Sequence, residues 1–289
     1  MPPKPKILFL GNIPASADQG PDAFVILESA EDRRPYRESV IKPESASLSY
    51  PSDFSDPEIP EGSVAYHPVF GEITYNNRWY FSTARLMADL SAAEENPSIV
   101  AHILHIDSPG GEAFGLHEAF DAIRNLKKPC HAVIGSMAAS AGYYLAAGAD
   151  RVYASAMFSM VGCIGIVGLF YDDRKYLEKI GFEEHEYYSS YSPLKNKVFR
   201  DARDGNGDEY IRRYLDPMAL RFIEDVKGAR PGITQDAQEG DTFYSDEAVA
   251  AGLIDGVKSF DEALRDLIDA ISPNEKSPSV DINQLNLCL

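Results

Sequence analysis

Ser98-Ile-Val-Ala-His-Ile-Leu-His-Ile-Asp-Ser-Pro-Gly-Gly111 is the stretch whose reading decides the fold. Residues 98–107 read as a buried strand, because Ile99, Val100, Ala101, Ile103, Leu104 and Ile106 leave little that wants water. Pro109 and the two glycines stop it. A helix is expected next over residues 113–126, with Leu116, Ala119, Phe120 and Ile123 on one face. The same rhythm extends in both directions. Upstream, residues 64–74 read as a strand and 83–95 as a helix with Leu86, Leu90 and Ala93 inward. Downstream come a strand at 130–135, a small-residue helix at 138–148 and a short strand at 151–154. Strands alternating with helices in units of about 30 residues imply parallel crossovers and an α/β fold. No repeat of the solenoid kind is present.

Composition narrows the function classes. The chain has 289 residues, 44% hydrophobic and 25% charged, enough for a sizeable core without staples. Cys130, Cys163 and Cys288 are too few and too scattered for a disulfide framework or a zinc cage, and suit a reducing compartment. A net charge of −18 argues against nucleic acid, whose phosphates need a basic face. The start, MPPKPK followed by four apolar residues, makes no signal peptide. The best apolar run, residues 161–171, is broken by Gly162, Gly165 and Gly168 and is too short to span a membrane. The expectation is a cytoplasmic protein that engages neither membrane nor nucleic acid. Residues 1–62 read as a partly flexible N-terminal extension, with a short strand near 23–27 and a linker-like stretch at 43–61. Residues 63–271 read as the globular domain and 272–289 as a polar tail ending in Leu285, Leu287 and Leu289.

Two places could carry chemistry. Asp107-Ser-Pro-Gly-Gly111 lies where a strand ends and a helix begins, where backbone N–H groups have no partner and can face an anion. Gly110 and Gly111 would let a ligand approach closely. The plainer explanation is an ordinary strand-to-helix turn; a dinucleotide fingerprint is excluded, because G-x-G-x-x-G is missing. The second place is Ser140 in Ser136-Met-Ala-Ala-Ser-Ala-Gly-Tyr-Tyr-Leu-Ala146. It falls near a helix start, and Ala138, Ala139, Ala141 and Gly142 leave room around its hydroxyl. The alternatives are close helix packing through small residues, or an N-cap at Ser136. A serine nucleophile needs a base. His185 is the histidine that follows Ser140; His102 and His105 sit inside the strand and suit a structural role. Lys175 and Lys179 read as a solvated helix face, while Lys195 and Lys197 fall in an irregular loop. Spacing alone does not choose among these bases.

Three segments together resemble the signal peptide peptidase A family of serine proteases, whose phage branch comprises the capsid assembly (head maturation) proteases. They are His105-Ile-Asp-Ser-Pro-Gly-Gly111, the Ser140 segment followed by Ala149-Asp-Arg-Val-Tyr-Ala154, and Phe243-Tyr-Ser-Asp-Glu-Ala-Val-Ala-Ala-Gly-Leu-Ile-Asp255. The likeness runs from about residue 63 to 270. It implies a ClpP/crotonase-like fold of stacked ββα units, a homo-oligomeric ring, protein substrates such as scaffold and capsid proteins, and a serine–lysine dyad with no metal or cofactor. Ser140 would be the nucleophile, Lys195 the base with Lys197 as alternate, and the amides of Gly111 and Ala141 the oxyanion hole. Two departures stand out. The glycine and proline that often flank the family's lysine are missing around Lys195, where Pro193 precedes it, and Cys163 replaces the serine of a Gly-Ser-Ile-Gly segment. Cys163 reads as a small buried residue. Caseinolytic protease proper would want a histidine near position 165, which is Gly165. An enoyl-CoA hydratase-like enzyme would want glutamates near the hole, where Glu112 stands alone. A soluble signal-peptide-peptidase-like protease and an inactive scaffold of the same fold are the remaining alternatives.

Overall fold

Apolar runs alternating with amphipathic helices build a nine-stranded, mainly parallel sheet. The computed structural model describes the strand backbone at residues 39–42 and 45–49, residues 54, 55 and 59, and residues 61–77 and 79–271. The strand expected near 23–27 and the tail 272–289 lie outside the described residues. In chain order, β1 (Ser39–Lys42) and β2 (Ser45–Ser49) precede β3 (Ser63–Phe70) and a small arm of β4 (Ile73–Thr74) and β5 (Phe81–Ser82). Then come α1 (Thr83–Glu95), β6 (Ile99–Ser108), α2 (Leu116–Arg124), β7 (Cys130–Ala139), α3 (Ala141–Ala147), β8 (Arg151–Ala154) and β9 (Met160–Gly162). Short helices α4 (Arg174–Lys179), α5 (Lys197–Arg203) and α6 (Asp208–Tyr210) follow, and a π-helical turn leads into α7 (Asp216–Ala229). The chain continues with β10 (Thr242–Tyr244), α8 (Ser245–Ala250), β11 (Gly256–Val257) and α9 (Phe260–Ile271).

The sheet runs β10-β9-β7-β6-β3-β1-β2, with β8 and β11 attached beside β7. β3, β6, β7 and β8 are parallel, as the crossovers require. Two units cluster separately: residues 1–164 with 222–289, and residues 165–221. The second unit therefore lies inside the span read from sequence as one domain. In the first unit α1 keeps its expected bounds. The Ser82 hydroxyl caps it by accepting from the Arg85 N–H, and Leu86, Leu90 and Ala93 are buried. α2 buries Leu116, Ala119, Phe120 and Ile123 but starts three residues late, because Gly115 before it sits at φ 73°. Burial of each such leucine, isoleucine or phenylalanine contributes roughly 1.5–3 kcal/mol.

Two expectations need correction. The stretch 43–61 is more than linker: β2 lies within it, and Phe54 and Ile59 are buried against Ala65, Ala93 and Ile99. The strand at 130–135 continues to Ala139, so the helix starts at Ala141 and not at 138. The cause is a bulge. Ile106 of β6 faces Ile134, but Ser108 faces Ala138, so β7 carries two extra residues there. Beyond the bulge, Met137, Ala138 and Ala139 exchange β8 for β9 as neighbour. These ladder bonds outweigh the helix propensity of the alanines.

Three histidines are structural, two of them as the strand reading of 98–107 implied. His67 and His102 stack with Nε2 and Nδ1 at 3.1 Å, and His102 Nε2 meets the Glu94 carboxylate at 3.1 Å. His105 Nδ1 lies 2.9 Å from the Tyr66 hydroxyl. Burial holds His67 well below the ordinary histidine range and brings His102 and His105 down to about 4. The unfolded chain takes up protons near pH 6.5 that the folded chain refuses until about pH 4. The stability from neutral burial is therefore present above pH 6.5 and lost as pH falls towards 4, about 3 kcal/mol from His105 alone. Urea denaturation across pH 7.5 to 4 should show this decline, and His105→Phe should flatten part of it. A pH-independent midpoint above 4 would contradict the assignment.

Candidate active site

β7 ends and α3 begins at Ser140, whose backbone turns the corner at φ 52° and ψ −120°. That conformation is costly for a residue with a Cβ, of order 1–3 kcal/mol, and persists where the surroundings hold it. The Ser140 N–H donates to the Gly162 carbonyl at 2.8 Å, and the Ser140 carbonyl accepts the Tyr144 N–H at 2.9 Å. The hydroxyl makes no capping hydrogen bond and is partly exposed. Ala141 is the first residue of α3, so its N–H is one of those a helix start leaves without an intrahelical partner.

The Ser108-Pro-Gly-Gly111 loop lies against this elbow. Gly110 is at φ 111°, and a Cβ there would stand 2.8 Å from Ser140 Cβ and 3.2 Å from Ala141 N. The Ser108 hydroxyl donates to the Gly71 carbonyl at 2.6 Å and accepts the Gly110 N–H at 3.1 Å, which fixes the turn. Gly111 forms a parallel bridge to Ile73 of the β4–β5 arm. Its hydrogen bonds come from the neighbours: Ile73 N–H donates to the Gly110 carbonyl and Glu112 N–H to the Ile73 carbonyl, both at 2.8 Å. The Gly111 amide itself takes no part in the bridge. A Cβ on Gly111 would fall 1.9 Å from the Ile73 oxygen. Glycine is thus required at 111 by the arm, where sequence reasoning looked to the ligand's approach.

The small residues after Ser140 also have a packing role. Gly142 lies against Ser108, where a Cβ would meet the Ser108 carbonyl oxygen at 3.0 Å. Ser136 is no N-cap; it sits in the β7 bulge and donates to Asp107 Oδ1 at 2.6 Å. Ser159 closes the other side, donating to the Gly135 carbonyl at 2.5 Å. Glu112 spends one carboxylate oxygen on the Tyr75 N–H at 2.8 Å. Cys163 is half-buried at φ 56°; burial first, then the Asp241 carboxylate, pushes its thiol upward. Sequence reasoning missed Asp107, Ser136 and Ser159 as determinants of the elbow. The signal was the polar residues at the end of two otherwise apolar strands.

The base candidates lie in the second unit. Lys195 is exposed in the loop before α5, and Lys197 opens α5 with its ammonium paired to Asp201. Residues 180–196, between α4 and α5, hold no strand. His185 is exposed, 3.5 Å from Glu183. Lys175 and Lys179 are exposed on α4, as expected. Among the described residues no cluster of three or more His, Cys, Asp or Glu could hold a metal, and no helix is long and apolar enough to cross a membrane.

A serine elbow at the end of a parallel strand, faced by a Gly-Gly loop, defines a class. Residues 73–160 match the Clp protease family, and the fold is ClpP/crotonase-like. Residues 122–271, just over half of the chain, match Peptidase family S49, and the chain belongs to this family. Protease 4 of Haemophilus influenzae is 29% identical over 71% of this chain and 32% of its own length. Serine protease SPPA, chloroplastic, of Arabidopsis thaliana is 34% identical over 62% of this chain and 27% of its own. Capsid assembly protease C of Escherichia phage lambda is 27% identical over 71% and 46%. The chain thus spans less than half the length of each of these relatives. Among solved structures, an enoyl-CoA hydrotase/isomerase family protein from Silicibacter pomeroyi covers 76% of this chain and 83% of its own, with 16% identity and a TM-score of 0.46.

Gly111→Ala should cost roughly 1–3 kcal/mol or more, since the Ile73 backbone must move. Gly71→Ala is the control: its φ of 77° is strained but nothing lies within 4 Å, so about 1–2 kcal/mol is expected. Chemical denaturation of both variants checks the order. Equal losses would mean that the bridge yields easily.

Proposed function

We propose that the chain is a serine endopeptidase in which Ser140 is the nucleophile, the amides of Gly111 and Ala141 form the oxyanion hole, and Lys195 is the general base. The observation that carries this reading is the strained Ser140 elbow, which holds a hydroxyl uncommitted to capping at a helix start. The Gly111 amide left out of the Ile73 bridge and the first amide of α3 are two donors of the right kind. Lys195 is favoured over Lys197 because the latter is engaged with Asp201, and an ammonium tied to a carboxylate is a poor base.

In this mechanism Lys195 takes the Ser140 proton as Oγ bonds to the peptide carbonyl carbon. The two amides hold the oxygen that becomes negative, each contributing about 3–4 kcal/mol. Collapse breaks the C–N bond, and the lysine proton passes to the leaving amine. Water, deprotonated by the same lysine, then releases the acyl group. No metal or cofactor enters. A lysine must be desolvated to be neutral near pH 7.

The likeness to Capsid assembly protease C supports a finer reading: a phage or prophage maturation protease that cleaves scaffold and capsid proteins in the host cytoplasm, working as a homo-oligomeric ring. Ser140→Ala should reduce peptide cleavage by roughly 10⁴-fold or more and abolish labelling by a fluorophosphonate, with the melting temperature kept. Lys195→Met should match it, since members of one catalytic unit are not additive, while Lys197→Met changes activity a few-fold. Cleavage by Ser140→Ala at the wild-type rate would overturn the nucleophile. Activity lost in Lys197→Met but kept in Lys195→Met would move the base by two residues. Coexpression with a phage major capsid protein and its scaffold, read by mass spectrometry of trimmed termini, tests the substrate.

A further inference from the structure

Lys195, the base of the preceding reading, stands in a stretch that packing does not hold. Within residues 165–221 Val198 is the one buried side chain, and around the lysine Tyr191 is 96% and Leu194 74% exposed. A general base has to come within hydrogen-bond reach of the proton it takes. A misplacement of about 1 Å costs on the order of 100-fold in rate. Something other than a core must therefore fix the Lys195 backbone.

Arg200 does so from the first turn of α5. Its Nη1 donates to the Lys195 carbonyl at 2.5 Å, and its guanidinium lies over the Tyr188 ring, 4.0 Å from the centroid. One planar group thus ties the residues before the lysine to the helix after it. The Tyr188 hydroxyl donates in turn to Glu186. A hydrogen bond from an ionised donor is stronger than one between neutral groups. Backbone bonds complete the turn. Lys195 N–H donates to the Ser192 carbonyl and Lys197 N–H to the Leu194 carbonyl, both at 3.1 Å. Asn196 reverses the chain at φ 55°, and its carbonyl accepts the Arg200 N–H at 3.0 Å. α5 itself has seven residues and no side-chain cap, too little to stand without such contacts. We propose that Arg200 is a positioning residue: it holds the Lys195 backbone so that the amine reaches the Ser140 hydroxyl, and it acts through the lysine and not on the substrate. The inference rests on the Ser140–Lys195 reading and supplies what keeps its base in place.

The test is the rate at which a fluorophosphonate labels Ser140 in the full chain, resolved into a limiting rate and a half-saturating concentration. Arg200→Ala should lower the limiting rate about 100-fold and leave half-saturation unchanged. Arg200→Lys should stay about tenfold or more below wild type, because an ammonium cannot both stack flat on Tyr188 and donate as a planar fork. If Arg200→Ala loses its circular dichroism spectrum, Arg200→Lys carries the comparison. Millimolar guanidinium ion should restore part of the rate of Arg200→Ala. In a Lys195→Met background, Arg200→Ala should cost nothing further and guanidinium should do nothing, because members of one unit are not additive. Arg174→Ala, which breaks the pairs with Asp172 and Asp204 in the same unit, should label at the wild-type rate. An equal loss in Arg174→Ala, or a loss that adds to that of Lys195→Met, overturns the proposal. Wild-type labelling of Arg200→Ala beside a dead Lys195→Met rejects Arg200 and keeps the base. Wild-type labelling of Lys195→Met, or no labelling of the native chain, rejects both.

Discussion

The two-residue bulge in β7 opposite Asp107 is the constraint on which the site depends. A strand pairing evenly with β6 would bring the chain to its end two residues out of step and still beside β8. The extra residues shift Met137, Ala138 and Ala139 onto β9, and the Ser140 N–H then finds the Gly162 carbonyl. Bulges leave backbone groups unpaired, and buried unpaired groups are costly. Here they are satisfied from both sides, by the Asp107 carboxylate, which accepts the Ser136 N–H at 3.4 Å, and by the Ser159 hydroxyl, which donates to the Gly135 carbonyl. Gly135 has no side chain because Asp107 Oδ2 would lie 3.1 Å from its Cβ. The elbow's strain is thus held by a set of hydrogen bonds a strand or more away.

Behind the elbow, α3 is held by large side chains. Tyr143 is fully buried and donates its hydroxyl to the Leu253 carbonyl at 2.8 Å. Tyr144 stacks on Phe222 at 4.1 Å and donates to Asp225, which also meets His117 Nδ1 at 2.8 Å. The face towards the Gly-Gly loop is small and the opposite face aromatic. This asymmetry reconciles two explanations of the run from Ala138 to Gly142, access to a hydroxyl and close packing. Gly142 serves packing against Ser108, while the space at Gly110 belongs to the elbow.

Periodicity made much of the fold legible. α1 and β8 have the expected ends, and the inward faces of α1 and α2 hold the residues that spacing selects. The place of Ser140 at a strand-to-helix junction was legible too, because a polar residue stands there between small ones. What local pattern cannot express is pairing between distant backbones. The bulge, the change of neighbour from β8 to β9 and the bridge at Ile73 are all relations of that kind. So is the burial of Phe54 and Ile59, two apolar residues in a stretch rich in proline, serine and acids. Residues 165–221 resisted for a different reason. With almost nothing buried, their sequence keeps no inside and outside, and periodicity has nothing to report.

The bridge between Ile73 and Gly111 makes the Gly-Gly loop inseparable from the arm. Two backbone hydrogen bonds run from Ile73 to the residues on either side of Gly111, and Tyr75 adds its N–H to Glu112 and its ring to the face of Gly115. Grafting Ser108 to Gly111 onto another parallel sheet would transfer the letters without the geometry. The smallest portable piece includes residues 71–75, some forty positions away along the chain but adjacent in space. An engineer who lengthens, shortens or loads the arm is editing the loop, whatever the alignment suggests.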